Sequence, residues 1–187
     1  MADIKTAHSP LPDEAAPAAA ASEEDVRLIE AMELLFFAYR DFVGDPDAIL
    51  ATKGFGRAHH RVLHFVGRNP GITVQNLLGI LRITKQSLAR VLRQLIDAGQ
   101  VVQHRGTQDR RQRHLYLTLQ GQALWAALQA PQKIRLARAF ATAGPAAEAG
   151  WRAVMDAMLD RASRAELHRH AALPDHIGHA TQGEPDE

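Results

Sequence analysis

The residues from Thr73 to Thr118 constrain the fold more than any other part of this 187-residue chain. They begin with two short stretches of helical periodicity, one after Thr73 and one after Thr84, and threonine is a preferred helix N-cap. In the second stretch the apolar side chains recur with the spacing of one buried helix face: Leu88, Val91, Leu92 and Leu95. Gly99 then predicts a left-handed end to this helix.

Two short strands are predicted after Gly99. The runs VVQHR and RHLYLT, separated by GTQDRRQ, have the length and residue types of a β-hairpin. Helix, turn, helix and hairpin in this order indicate a winged helix-turn-helix whose wing tip carries Arg110 and Arg111. For the whole chain this predicts a mainly α fold with a small β-hairpin wing.

The flanks differ from this middle part. Residues 1–22 are rich in alanine and proline and are predicted to be a disordered arm, and the polar residues 173–187 a disordered tail. Ser22 is a candidate N-cap for a helix over 23–43 that carries two apolar rows. A second chain would cover both rows; the alternative is a central core helix within one monomer.

Three further segments have specific expectations. The segment GDPDAILATKGFG is predicted to be a loop or a broken turn before a helix over 57–67. A long helix over 119–143 is expected to be kinked or split by Pro131, and a last helix to cover 146–172.

Positive charge is concentrated in the middle of the chain. Between Lys53 and Arg138 there are fifteen Lys and Arg residues but only two acids, Asp97 and Asp109, a formal charge of +13. The flanks carry −12, so the whole chain is close to neutral. Nucleic acid is the commonest partner of such a surface, because each neutralised phosphate releases counterions. A solvated charged surface without a ligand is the alternative.

Several classes of protein are excluded or disfavoured. The chain has no cysteine, which removes disulfides, thiolate metal ligands and thiol redox switches. No apolar run is long enough to cross a membrane and the N-terminus lacks the features of a signal peptide, so a cytoplasmic protein is expected. Common hydrolase, zinc-protease and nucleotide-binding motifs are missing. We therefore expect neither an enzyme nor a bound cofactor.

Three segments resemble the MarR/SlyA family of bacterial transcriptional regulators and its PetP-like branch. The segments are ITKQSLARVLRQLIDAGQV in the second helix, DRRQRHLYLTLQG in the wing and HRVLHFVGRNPGITVQNLL upstream. The resemblance covers roughly residues 25–170. It implies a domain over 23–172 with a DNA-binding lobe at about 55–118. The helices at about 23–43 and 119–172 would then interlock between two subunits.

The exposed face of the second helix supplies candidate DNA contacts. Gln86, Arg90 and Arg93 are the types that read base edges, since Gln can pair with adenine and Arg with guanine. At the helix start, Thr84, Lys85 and Ser87 are suited to phosphate. An exposed polar face without a ligand is the alternative.

The wing supplies a second set of candidates: Arg105, Asp109, Arg110, Arg111 and Arg113. A carboxylate among four arginines can brace one guanidinium through paired hydrogen bonds, so that it enters a minor groove. The resemblance assigns the bracing to Asp109, the insertion to Arg111 and a phosphate contact to Arg110. A solvated charged hairpin is the alternative.

Histidines are the candidate metal ligands in this sequence. His60 and His64 have the i, i+4 spacing of a metal-binding pair, and His168 and His170 lie near the C-terminus. With no cysteine and few central acids to complete a site, packing or contact with a ligand is preferred, and no metal is expected.

The sequence thus favours a homodimeric regulator, a repressor in the preferred reading, that binds a pseudo-palindromic operator in double-stranded DNA. A small-molecule effector is a candidate partner, with a pocket formed by helices 23–43, 57–67 and 119–143. Two alternatives remain: a nucleoid-type or RNA-binding module that uses the same surface without sequence choice, and a winged-helix interaction protein that binds no nucleic acid.

Overall fold

The computed structural model describes residues 22–106 and 112–171, and for the last four of these the backbone alone. This part of the chain contains seven helices and three strands. In chain order they are α1 (Glu23–Ala51), α2 (Arg57–Arg68), β1 (Ile72–Thr73), α3 (Val74–Leu81), α4 (Lys85–Asp97), β2 (Val101–Arg105), β3 (Arg113–Leu117), α5 (Leu119–Ala143), α6 (Pro145–Met158) and α7 (Arg161–Ala171). The mainly α class with a small hairpin is confirmed. No helix within the described ranges is long and apolar enough to cross a membrane.

The chain divides into two units, the first ending at Arg40 and the second beginning at Asp41. The first unit contains the N-terminal part of α1, and Ser22 caps this helix as predicted. Its hydroxyl accepts the Asp25 N–H at 3.1 Å, while the Asp25 carboxylate accepts the Ser22 N–H at 3.1 Å. Large apolar side chains of this unit are exposed to solvent: Val26, Leu28, Ile29, Met32, Leu34, Leu35, Phe36, Phe37 and Tyr39.

The core of the second unit lies between the helix-turn-helix and the sheet. Leu63 of α2, Leu77 of α3, Leu88 of α4 and Leu115 of β3 are completely buried. Leu128 of α5 belongs to the same cluster. The apolar stripe predicted for α4 is therefore the face that it buries, and the side chains opposite that stripe remain exposed.

The sheet has three antiparallel strands in the order β1-β3-β2. The hairpin of β2 and β3 was predicted, but β1 was not, because two residues are too few to show a strand pattern. The turn at Gly71 aligns β1: with φ at +84°, it brings its N–H within 2.8 Å of the Leu115 carbonyl oxygen. Glycine adopts this backbone conformation without the steric cost that other residues incur.

A compact joint connects the end of the hairpin to the end of α4. Thr118 caps α5 by accepting the Gly121 N–H at 3.0 Å, and its hydroxyl donates to the Gly99 carbonyl at 2.6 Å. The Thr118 N–H also donates to the Gln100 carbonyl at 3.1 Å. Gly121 packs directly on that carbonyl, where a Cβ would overlap the oxygen. Gly99 has φ of +67°, as its predicted role at the end of α4 requires.

The predicted loop over residues 44–56 is wrong for most of its length, because α1 continues through Pro46 to Ala51. A proline inside a helix removes one N–H and leaves the carbonyl four residues earlier without its helical partner. Here that carbonyl belongs to Phe42, and Gln132 of α5 donates to it at 3.4 Å. Pro46 and Leu50 are both buried, so packing holds this last part of the helix in place.

The C-terminal helices also differ from expectation. The single helix predicted over 146–172 is two helices, α6 and α7, separated at Leu159 and Asp160. The Asp160 carboxylate accepts the Ser163 N–H at 2.6 Å, which starts a new helix. Pro131, in contrast, does not split α5, which is continuous from Leu119 to Ala143.

We predict that Gly121→Ala destabilises the protein by roughly 1–3 kcal/mol, because its methyl group would displace the Gln100 backbone and the α5 N-terminus. Gly79→Ala is the matched control: Gly79 lies in α3 with open space around it and should gain about 0.5–1 kcal/mol of helix stability. Urea unfolding measures both. Equal stability of the Gly121 variant and the parent would contradict the close packing at the joint.

Candidate nucleic-acid interface

The start of α4 presents polar groups in a fixed arrangement. The Thr84 hydroxyl accepts the Ser87 N–H at 3.1 Å and donates its own hydrogen to the Ser87 hydroxyl at 2.8 Å. The Ser87 hydroxyl therefore keeps its hydrogen for another acceptor, and Thr84 acts chiefly as the cap. The N–H groups of Lys85 and Gln86 have no acceptor inside the helix, as in every first turn, and both residues are exposed. This end of α4 is suited to a phosphate.

The exposed face of α4 forms one concave surface. It is lined by Gln86, Ser87, Ala89, Arg90, Arg93, Gln94 and Asp97. The predicted residues of the helix face are thus brought together, and Thr84 and Lys85 lie at its N-terminal end. Gln94 and Asp97 also line this surface and were not among the predicted site residues. The spacing of Ser87, Arg90 and Gln94, at i, i+3 and i+7, places them in one row and could have indicated Gln94.

The turn before α4 is held from two sides. The Arg61 guanidinium of α2 donates to the Leu81 carbonyl at the end of α3, at 3.0 Å. Arg82 follows with φ of +50°, the only non-glycine residue with positive φ in the described ranges, and its N–H donates to the Leu78 carbonyl. A left-handed residue at this point ends α3 and allows the chain to turn into α4.

The N-terminus of α2 contacts the far end of the α4 surface. His59 is buried, with 8% of its surface exposed, and stacks on Phe55 with ring centroids 4.7 Å apart. Its Nδ1 lies 3.0 Å from the Gly56 backbone N, and its Nε2 lies 2.9 Å from Gln94 Oε1. One imidazole therefore connects the start of α2 to the exposed face of α4.

Two of the predicted wing residues lie at the ends of the wing strands, next to the connecting loop. Arg105 and Arg113 are directly opposite each other in the register of β2 and β3, and both are exposed. Like charges at opposite positions of a strand pair are destabilising unless an anion compensates them. The other wing candidates, Asp109, Arg110 and Arg111, lie outside the described residues.

The histidines of α2 have separate surroundings. Burial lowers the pKa of His60 below its ordinary value of 6.5, and the Asp47 carboxylate opposes that shift. The His64 ring instead meets the edge of Phe65, with centroids 5.1 Å apart. Among the residues the structure describes, no group of three or more His, Asp or Glu side chains could hold a metal ion. The side chains of His168 and His170 are outside that description.

A cavity of about 670 Å³ separates α7 from α2 and α3. Its wall is partly apolar, with Phe65, Ile80 and Leu167, and it includes Arg82. Arg82 also forms a paired contact with Asp160, at 3.0 and 3.4 Å. The hydrogen bond from Arg82, and after it that from the Ser163 N–H, hold the pKa of the Asp160 carboxyl far below its usual range. The turn before α4 is thus joined to the start of α7.

A capped helix with an exposed basic face, preceded by a tight turn and followed by a basic hairpin, defines a winged helix-turn-helix protein. The family profile described as MarR family matches residues 53–112, which include α4 and most of the wing. The HTH-type transcriptional regulator PetP of Rhodobacter capsulatus is 50% identical over 140 residues, which are 75% of this chain and 84% of PetP. The chain belongs to the MarR family of transcription regulators, which bind DNA and are not enzymes.

Solved structures agree with this fold. A MarR family transcription regulator has a TM-score of 0.61 at 21% identity, with 72% of this chain and 89% of that chain covered. A mutant MarR from E. coli complexed with operator DNA has a TM-score of 0.56 at 20% identity, with 74% of this chain and 100% of that chain covered. At these identities the similarity concerns the fold.

Proposed function

We propose that this protein is a homodimeric repressor that recognises a pseudo-palindromic operator by inserting α4 of each subunit into the major groove. The concave face of α4 is the observation that carries this proposal. It combines arginines and glutamines, which read base edges, with a helix start whose free N–H groups suit phosphate. Residues facing the core on the other side of α4 are fully packed, so the exposed side chains project from a rigid support.

The wing extends the proposed interface. A phosphate or a narrow minor groove beside β2 and β3 would supply negative charge to the opposed Arg105 and Arg113. For the loop tip we retain the assignment implied by the family resemblance. In it, Asp109 braces Arg111, Arg111 enters the minor groove, and Arg110 contacts phosphate.

Dimerisation is proposed from exposed apolar surface on two helices. Met32 of α1 is 69% exposed and Phe36 is 66% exposed. On α6, Val154 is 56% exposed, Met158 is 60% exposed and Trp151 lies beside them. Exposed apolar surface on a helix marks an interaction site in a folded protein. A second copy of the chain also matches the two-fold symmetry of a palindromic operator.

We expect a sedimenting species of about twice 20.5 kDa at micromolar concentration. Phe36→Glu should shift it towards the monomer, because a carboxylate would be buried in the interface without a partner. Glu30→Gln, an exposed polar change on the same helix, should leave the dimer intact. A parent protein that sediments as a monomer would contradict the proposed assembly. A dimer that persists when Phe36→Glu is combined with Met158→Glu in α6 would contradict it as well.

Sequence-specific binding is tested by separating base contacts from phosphate contacts. Arg90→Ala should cost roughly 1–3 kcal/mol on the operator and much less on random DNA, if Arg90 reads a base. Lys85→Ala should weaken binding to both DNAs equally and reduce the salt dependence, because Lys85 lies at the phosphate-binding start of α4. Fluorescence anisotropy at two salt concentrations measures these losses. Equal losses for Arg90→Ala on both DNAs would assign Arg90 to phosphate instead.

A sequence-independent nucleic-acid-binding protein is the second candidate, and the +13 charge of residues 53–138 supports it. Competition with excess bulk DNA distinguishes the two candidates. A repressor remains bound to its operator under these conditions, whereas a nucleoid-type protein is displaced from it.

Effector response is proposed from the cavity between α7 and the helix-turn-helix. Its partly apolar wall suits a small amphipathic molecule. A similar structure, NadR, is in complex with 4-hydroxyphenylacetate, at a TM-score of 0.53 and 21% identity. Residues of α2, α3 and α7 line this cavity, whereas the sequence predicts a pocket formed by α1, α2 and α5. A ligand there would act on the turn before α4 through the Arg82–Asp160 contact.

We therefore expect an aromatic acid, tested first as 4-hydroxyphenylacetate and then as its homologues, to raise the melting temperature and weaken operator binding. Asp160→Asn should preserve the thermal shift but reduce the effect on DNA affinity, because the connection to Arg82 loses its charge. Glu148→Gln, which removes an ion pair within α6, is the control and should respond like the parent. Full release of DNA by the Asp160 variant would contradict this route.

A further inference from the structure

The hydrogen positions around His59 follow from its neighbours. The Gly56 backbone N–H can only donate, so His59 Nδ1, 3.0 Å away, must accept and carry no hydrogen. A neutral imidazole with a bare Nδ1 has its hydrogen on Nε2. That N–H then donates to Gln94 across 2.9 Å, and the atom of Gln94 that receives it is the amide oxygen. The His59 ring itself is buried.

This chain of hydrogen bonds occupies one of the two lone pairs of the Gln94 oxygen and neither hydrogen of its NH2 group. Its oxygen is engaged by His59, while its NH2 group has no hydrogen-bond partner recorded among the described residues. Gln94 is exposed and lines the same concave surface as Arg90 and Arg93. Gln94 therefore presents two donor hydrogens at this surface, and its acceptor capacity is halved by His59.

We propose that Gln94 is a specificity-determining residue that reads the acceptor-only edge of guanine, and that His59 is the positioning residue that gives Gln94 this role. The proposal rests on the proposed function, in which the face of α4 enters the major groove. A glutamine free to use both ends of its amide pairs with adenine, receiving from N6 and donating to N7. A glutamine whose oxygen already accepts from His59 has one lone pair left for adenine N6. Both hydrogens of its NH2 group remain available, and guanine offers them two acceptors, O6 and N7.

Four variants separate this reading from simpler ones. Gln94→Lys keeps a donor-only group, so it should retain the preference for guanine. Gln94→Met removes the polar group at similar size and should lose the preference. Gln94→Glu still accepts from His59 but has no hydrogen to donate, so it should lose the preference and also bind all DNA more weakly. His59→Phe keeps a ring against Phe55 but frees the Gln94 oxygen, so it should shift the preference from guanine towards adenine.

The measurement is a competition in which each operator position carries each of the four base pairs in turn, with full-length parent and variants. For the parent we expect one position per half-site where guanine is preferred over adenine by about 5- to 10-fold, the discrimination of a good side-chain pair. This preference should persist in Gln94→Lys and disappear in Gln94→Met. A parent that prefers adenine at the position sensitive to Gln94→Met would overturn the proposal. A Gln94→Met profile identical to the parent's, or a uniform loss at every sequence, would do the same.

Failure of this inference can be distinguished from failure of the proposed function. If no operator is selected at all, both fail. If an operator is selected and Arg90→Ala changes its base profile while Gln94→Met does not, only the role of Gln94 is wrong. Should His59→Phe fail to fold, the lysine and methionine variants still decide whether Gln94 reads guanine, because Gln94 is exposed and its substitution leaves the core intact. Gln94→Glu, which still accepts from His59, then shows whether that hydrogen bond alone maintains the preference.

Discussion

The contact of Thr118 and Gly121 with the backbone of Gly99 and Gln100 determines how the second unit is arranged. At this point the end of α4, the start of β2, the end of β3 and the start of α5 meet within a few residues. One threonine caps α5 and donates two hydrogen bonds to the segment after α4. The glycine one turn later allows the two backbones to touch. Any rotation of α5 therefore moves the hairpin and the end of α4 with it.

Local chemistry made much of this fold predictable. The caps at Thr73 and Thr84 and the glycine after α4 act within a few residues, so their patterns are visible in the sequence. The wrong predictions concern helix boundaries that depend on residues far away in the sequence or on single polar side chains. α1 continues beyond Pro46, where Pro46 and Leu50 are buried and Gln132, far along the chain, donates to the carbonyl that the proline leaves free. The break between α6 and α7 depends on Asp160, and the spacing of apolar residues does not reveal the role of this carboxylate.

The same limit of prediction from sequence applies to the candidate interface. Helical periodicity places Gln86, Arg90 and Arg93 on the exposed face of α4, and the structure brings them together. Periodicity does not reveal which polar atoms are already engaged. Thr84 gives its hydrogen to Ser87, and Gln94 shares its oxygen with a histidine 35 residues away in sequence. Residue type and spacing identify a face, whereas the chemistry that this face offers also depends on residues outside the helix.

Under the proposed function, the hydrogen bond between His59 and Gln94 bears on whether α4 can be exchanged between related proteins. If α4 were transplanted into a protein without an imidazole at the position of His59, the amino-acid sequence of the helix would be unchanged. The Gln94 side-chain oxygen would nevertheless lose its hydrogen bond, and the transplanted helix would offer a different set of donors and acceptors. If Gln94 reads a base as proposed, the specificity of α4 depends on the sequence of the helix and also on His59 of α2.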